Sequence, residues 1–212
     1  MNRAKRLTRR ESQQATRQRL VGAAERAFIR RGFDASSVEQ IAEEAGFSRG
    51  AFYSNFRSKD ELFMEVLRTK RKRIDRALEE IVAREKDPGR RLRAVLDWYV
   101  KQDLDRGWII LETESTLRAM RNRAARERIA ALNRQRAAEY AALAERHFAE
   151  SAVDPPARPE AVATALFAAA RGLAELALVE TGREREGLYA ECRDLLFQQL
   201  VPAAGKDKRR RQ

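Results

Sequence analysis

The 212 residues include one cysteine, Cys192, and one histidine, His147. A single thiol excludes an intrachain disulfide framework. A single imidazole would leave any metal site to rest on carboxylates. There are 5 prolines and 10 glycines, too few for a linker-like or collagenous chain. Long apolar runs are lacking too. The longest, 161–179, is rich in Ala and interrupted by Arg171 and Glu175, and it reads as too weak for a membrane span. No apolar stretch follows the basic N-terminus, so no secretory signal is read. GxGxxG, a phosphate loop, HExxH and CxxC are missing. With the Cys and the His on different predicted helices, this argues against an enzyme. No catalytic residue, metal ligand or cofactor is assigned, and a cytoplasmic protein with no membrane partner is the simplest reading.

What is present is charge and helical periodicity. Charged residues make up 36% and apolar ones 43%, the balance of a soluble, helix-rich chain. The net charge of +12 is unevenly placed: +9 on residues 1–73, −1 on 74–205 and +4 on 206–212. An excess confined to one segment and a short tail is the electrostatic footprint of a module that meets nucleic acid, attached to a near-neutral body.

Apolar spacing predicts an all-α fold of about nine helices, with no convincing strand. The first helix is expected over about 15–31, with Leu20, Val21, Ala24, Ala27 and Phe28 on one stripe and Gly32 closing it. Ser36 and Ser37 each have Glu or Gln three residues on, so either can start the second helix with a capping box. Val38, Ile41, Ala42 and Ala45 form its apolar face. Gly46 breaks it, and Ser48 caps a further helix over Arg49–Phe56 that buries Phe52 and Phe56. Two short helices with a tight turn between them make a helix-turn-helix. A long helix over about Lys59–Arg84 follows, on the order of 39 Å. The breaks EKDPG (85–89) and VDPPARP (153–159) separate further helices at about 90–105, 108–120, 123–151, 159–180 and 184–200. The expected organisation is a basic disordered arm (1–14), a helix-turn-helix domain (15–60), a helical ligand-binding and dimerisation domain (61–204) and a basic tail (205–212). The arm either lies along phosphates or is simply solvated.

The string AFIRRGF, then SSVEQIAEEAGFSRGAFYSNFRSKDEL, resembles the DNA-binding domain of the tetracycline-repressor (TetR) family of bacterial regulators. The match covers about residues 15–67. The resemblance implies a homodimeric repressor or activator with two recognition helices in successive major grooves of a palindromic duplex operator. A small molecule in the C-terminal domain would release the DNA, and the last two long helices would pair the subunits.

The residue types at the expected reading surface fit that chemistry. Ser37 and Ser48 can offer hydroxyls to phosphates. By family position Tyr53, Asn55 and Lys59 would contact phosphates and set register. Arg49 can reach a guanine edge with its fork. Gly50 and Ala51 permit close approach, and Ser54 stands where many relatives carry a larger residue. For the small molecule, the expected lining is Trp98, Tyr99, Trp108, Glu112, Met120, Tyr140, His147, Phe148, Phe167 and Arg171, mostly apolar or aromatic. Glu112 either pairs with a base such as Arg171 or orients a ligand, and His147 is either core or a ligand contact. Two other readings compete with a ligand-responsive regulator. One is a dimeric DNA binder without a switch, and the other is a basic protein acting on membrane surfaces or partners through its termini.

Overall fold

A computed structural model describes residues 8–103, 106–151, 153–180, 187–192, 194 and 195. The described residues are helical with no strand, as the apolar spacing predicts. The helices are α1 (Arg9–Arg31), α2 (Val38–Glu44), α3 (Arg49–Tyr53), α4 (Lys59–Arg84), α5 (Pro88–Asp103), α6 (Arg106–Arg121), α7 (Arg123–Ser151) and α8 (Pro159–Val179). Helical residues return at 187–192 and 194–195, within the span expected for the ninth helix. The basic tail, the first seven residues of the arm and the side chain of Tyr99 lie outside the described residues.

The start of α1 corrects the sequence reading, which placed residues 9–14 in a disordered arm. Thr8 is the N-cap: the Glu11 N–H donates to its hydroxyl, and the Thr8 N–H donates to the Glu11 carboxylate. This capping box satisfies two orphan N–H groups and adds about two turns to the helix. The recognition helix is shorter than expected and ends at Tyr53, with Ser54 as its C-cap. Asp87 accepts the Arg90 N–H, so α5 begins at Pro88, inside the stretch read as a break. Proline suits this first turn because its missing N–H would have no partner there.

The chain forms two compact units. The first runs through Arg73 and includes Ile110–Ala125, and the second comprises 74–109 and the residues from Arg126 onward. The first unit therefore extends past the boundary expected near residue 60 and takes in most of α6. Two facts explain its claim on α6. Leu111 is completely buried, and Arg118 is held by Asp60 and Asp34. The Arg118 guanidinium also stacks 3.3 Å from the Phe33 ring centre. The core of this unit is an aromatic trio. Phe28, Phe33 and Phe63 have ring centres 5.2–5.4 Å apart, with Phe63 edge-on to the other two.

In the second unit α5 packs on α8. By length and composition alone α8 is long and apolar enough to cross a membrane, with a window of mean hydropathy 1.7, of which 17% is buried. Arg171 and Glu175, read as interruptions, pair with each other one turn apart at 3.0 Å, which softens the cost of their charges. Leu176, Val179, Leu188 and Leu195 are exposed apolar residues on this helix and the helical residues that follow.

Candidate nucleic-acid interface

Local chemistry builds the helix-turn-helix. Ser37 caps α2 by accepting the Gln40 N–H at 3.1 Å, and the Gln40 side chain accepts the Ser37 N–H. Of the two serines that could start this helix, Ser37 does so. Ser36 is buried and donates its hydroxyl to the Gly32 carbonyl. Ser48 caps α3 by accepting the Ala51 N–H at 3.2 Å. The turn between the helices needs Gly46, whose φ is +75°. A Cβ there would also stand 2.9 Å from an Arg19 nitrogen. Phe47 is half-buried under the Arg19 guanidinium, 4.7 Å from its ring centre.

Phe52 and Phe56 anchor α3 and are fully buried. Arg17 of α1 clamps the far end. Its guanidinium lies 4.0 Å from the Phe56 ring centre, donates to the Asn55 carbonyl at 2.6 Å and pairs with Glu65 at 3.1 Å. Sequence reasoning missed this positioning residue. An arginine on the polar face of α1 carries no local signal of its partners, which lie 38 and 48 residues away.

The outward face of α3 presents Ser48, Arg49, Gly50, Tyr53 and Ser54, all exposed, with Ala51 half-buried beside them. Tyr53 is 48% exposed, which for an aromatic ring on a five-residue helix is an open contact surface. Arg49 is already oriented: Glu39 of α2 holds its guanidinium at 3.0 Å, and the Tyr53 ring centre lies 5.6 Å away. Ser54 donates its hydroxyl to the Gly50 carbonyl, so it faces outward as an acceptor only. Asn55 is partly buried and donates its side-chain amide to the Ala51 carbonyl at 2.8 Å, which turns that group inward.

Lys59 departs furthest from its expected place. Its ammonium donates to the carbonyls of Phe33 and Ser36 at 2.8 Å each and of Asp34 at 3.4 Å. It also lies 4.3 Å from the Phe33 ring centre. Three donors are thereby committed inside the domain. Burial pulls its pKa below the usual lysine range, and the Arg118 charge adds to this while Asp34, Asp60 and Glu114 oppose it. In this conformation Lys59 ties the link between α1 and α2 to the start of α4.

A family model described as "Bacterial regulatory proteins, tetR family" matches residues 20–66, the span that holds these elements. Residues 20–66 are thus a tetR-family segment. It is 46% identical over 57 residues to "HTH-type transcriptional regulator TtgR" of Pseudomonas putida, covering 27% of each chain. The match thus spans about a quarter of the length of that curated relative. Solved structures follow the fold much further. A putative TetR-family transcriptional regulator from Mesorhizobium loti superposes with a TM-score of 0.73 at 19% identity, over 92% of this chain and 98% of that one. A transcriptional regulator FadR from Bacillus subtilis, in complex with stearoyl-CoA, has a TM-score of 0.69 at 15% identity, over 84% and 96%. At such identities the likeness is one of fold.

The chain also has a cavity of about 120 Å³, built wholly within its second unit. Leu78 and Val82 of α4, Leu92 and Val95 of α5, and Leu166 and Ala170 of α8 form apolar walls. Four of the expected liners meet there: Tyr140, His147, Phe148 and Phe167. Trp98, Trp108, Glu112, Met120 and Arg171 are not among its lining residues. Glu112 is buried, and together with Met120 it belongs to the first unit; Met120 is 69% exposed. Arg171 is held by Glu175. Helical spacing does not say which neighbour a side chain faces, so these five could not be sorted from sequence. Arg91, a cavity residue missed at that level, is buried and paired with Glu150.

His147 is 7% exposed. Burial holds its pKa below the ordinary 6.5, the nearby Arg91 charge adds to this, and the Pro88 backbone and Glu150 oppose it. Below pH 6.5 the unfolded chain takes up a proton that the folded chain resists. The stability tied to the neutral imidazole is therefore present above pH 6.5 and is lost as pH falls toward the folded value. Urea midpoints measured on either side of pH 6.5 are expected to drop on the acid side, and to drop less in His147→Phe.

Proposed function

We propose that this chain is a ligand-responsive transcriptional regulator that binds a palindromic duplex operator as a homodimer. The observation that carries the reading is the outward face of α3, where Arg49 is held between Glu39 and Tyr53. Arg49 is the base-reading group, and its fork suits guanine O6 and N7. Ser37, Ser48 and Tyr53 set register on the phosphates. The two serine hydroxyls accept capping N–H groups and so keep their own protons to donate outward. Gly50 and Ala51 keep the helix close to the base edges. Ser54 contributes as an acceptor, Asn55 through its place beside the groove, and Lys59 by holding the domain in shape. The exposed apolar residues Leu176, Val179, Leu188 and Leu195 support pairing of two subunits through the last two long helices. The cavity of the second unit supports a small-molecule effector that releases the DNA, and repression is the sign we assign.

A gel-shift series against fragments of the source genome tests the reading. One fragment is expected to outcompete bulk DNA and to bind one dimer. Arg49→Ala should weaken that fragment by about ten- to a hundredfold, the cost of a lost bidentate base contact of about 1–3 kcal/mol, and should leave bulk-DNA binding much less affected. If no fragment outcompetes bulk DNA, operator recognition is wrong.

A further inference from the structure

Glu39 is an acid on the part of the chain that collects positive charge. Residues 1–73 carry a net +9. The exposed face of α3 and its cap, formed by Ser48, Arg49, Gly50, Tyr53 and Ser54, has no carboxylate of its own. One is supplied from α2. Glu39 sits in the first turn of that helix, and its Oε1 stands 3.0 Å from a terminal nitrogen of Arg49, the first residue of α3. The two side chains are 53% and 65% exposed, so the pair lies open on the face that carries Arg49. An exposed ion pair adds little to stability, and folding alone does not account for the acid. Its position is nevertheless well fixed. The Ser37 cap of α2 is two residues before Glu39, and the Ser48 cap of α3 is one residue before Arg49.

A carboxylate brought to duplex DNA has few partners there. Phosphates offer it no proton and repel it. The donors of the major groove are the exocyclic amines of cytosine and adenine. Adenine presents its amine beside the N7 acceptor, which suits an amide that both donates and accepts. Cytosine presents N4 without such an acceptor, which suits a group that only accepts. The separation of the two heads, 3.0 Å, is close to the rise of about 3.4 Å between stacked bases.

We propose that Glu39 is a second base-reading residue, accepting from cytosine N4 in the base pair next to the guanine held by Arg49. The inference rests on the operator reading of α3 and adds a specificity determinant from α2. The ion pair sets the spacing between the donor fork and the acceptor, so the two residues read consecutive pairs as one unit. Repulsion from phosphates confines the gain from Glu39 to sites that carry the cytosine.

The test is selection of bound duplexes from a randomised pool by the full chain, followed by affinity measurements on single-pair replacements of the selected duplex. The wild-type chain is expected to enrich a cytosine beside its guanine, and replacing that cytosine pair should weaken binding about tenfold, within the usual effect of one mismatched pair. Glu39→Ala should bind the original and the replaced duplex alike while keeping its preference for the guanine. Glu39→Gln should move the preference at that pair from cytosine to adenine, because an amide accepts from N6 and donates to N7. The site is exposed and both substitutes suit a helix, so the variants report reading and not folding. A wild-type selection with no cytosine beside its guanine, or a cytosine penalty equal in Glu39→Ala and wild type, overturns the proposal. So does a Glu39→Ala chain in which all duplexes gain alike, the mark of simple repulsion, or in which only the guanine preference weakens, the mark of a group that merely steers Arg49. In each of these cases the operator reading stands. A wild-type chain that enriches no sequence overturns that reading and this proposal with it.

Discussion

Phe63→Ala is expected to destabilise the first unit by about 3–5 kcal/mol, the usual cost of emptying a buried aromatic site. Phe63 is 1% exposed and meets Phe28 and Phe33 edge-on, at 5.4 and 5.2 Å between ring centres. The trio joins the end of α1, the link to α2 and the first turn of α4. Collapse into the space is resisted from two directions. Arg118 lies 5.6 Å from the Phe63 ring centre and is pinned by Asp60 and Asp34. Leu62, Val66 and Leu67 beside it are already buried. A domain of this size has about 5–15 kcal/mol to lose in all, so thermal unfolding should begin well below that of the parent chain. Operator binding should fail at temperatures where the parent still binds. Phe63→Leu, which keeps more of the volume, should recover much of the loss. A Phe63→Ala melting curve within a few degrees of the parent would show that the trio is not the keystone of the unit.

Lys59→Met is expected to cost about 2–3 kcal/mol, in line with hydrogen bonds made by a charged donor and with carbonyls left unsatisfied. Methionine keeps the stem against Phe33 and removes the three donations to Phe33, Asp34 and Ser36. Those carbonyls lie between the C-cap of α1 and the N-cap of α2, so their loss loosens the angle at which α2 presents α3. The same variant separates two roles for the ammonium. A lysine on a phosphate releases counterions, and removing it would lower the slope of log affinity against log salt by about one. The carbonyl network predicts an unchanged salt slope together with a lower melting temperature. A slope reduced by about one with unchanged stability would return Lys59 to the phosphates.

Lys59 also shows where sequence reading stopped. Its place after Phe56 and Ser58 is a family position, and the family pattern assigns it to the DNA backbone. The carbonyls that bind it come from a link 23–26 residues earlier, a separation that no local pattern reports. Asn55 is a second such case, since its amide turns back to Ala51 within its own turn. The opposite kind of miss is the start of α1. Thr8 and Glu11 form a capping box that is legible in four residues, but the density of arginines around them reads as a solvated arm. Hydrophobic spacing performed best where helices are long. α4 and α7 have the bounds the sequence implied, because a stripe repeated over many turns averages out the ambiguity at each end.

The sequence by itself determined the class of this protein. Helical periodicity, the hydroxyl caps at Ser37 and Ser48, the glycine at 46 and the buried Phe52 and Phe56 are all short-range facts, and together they specify a helix-turn-helix. Charge confined to the first third of the chain and its last few residues adds the sense of the partner. Tertiary structure alone decided which side chains are available. It paired Arg49 with Glu39, turned Lys59 and Asn55 inward, and gathered four of the expected aromatic and histidine positions around one cavity while placing five others elsewhere. The physical reason is that a helix fixes the direction of a side chain with a period of about 3.6 residues. What that side chain meets depends on packing against elements far away in sequence, and packing is settled by the whole core at once.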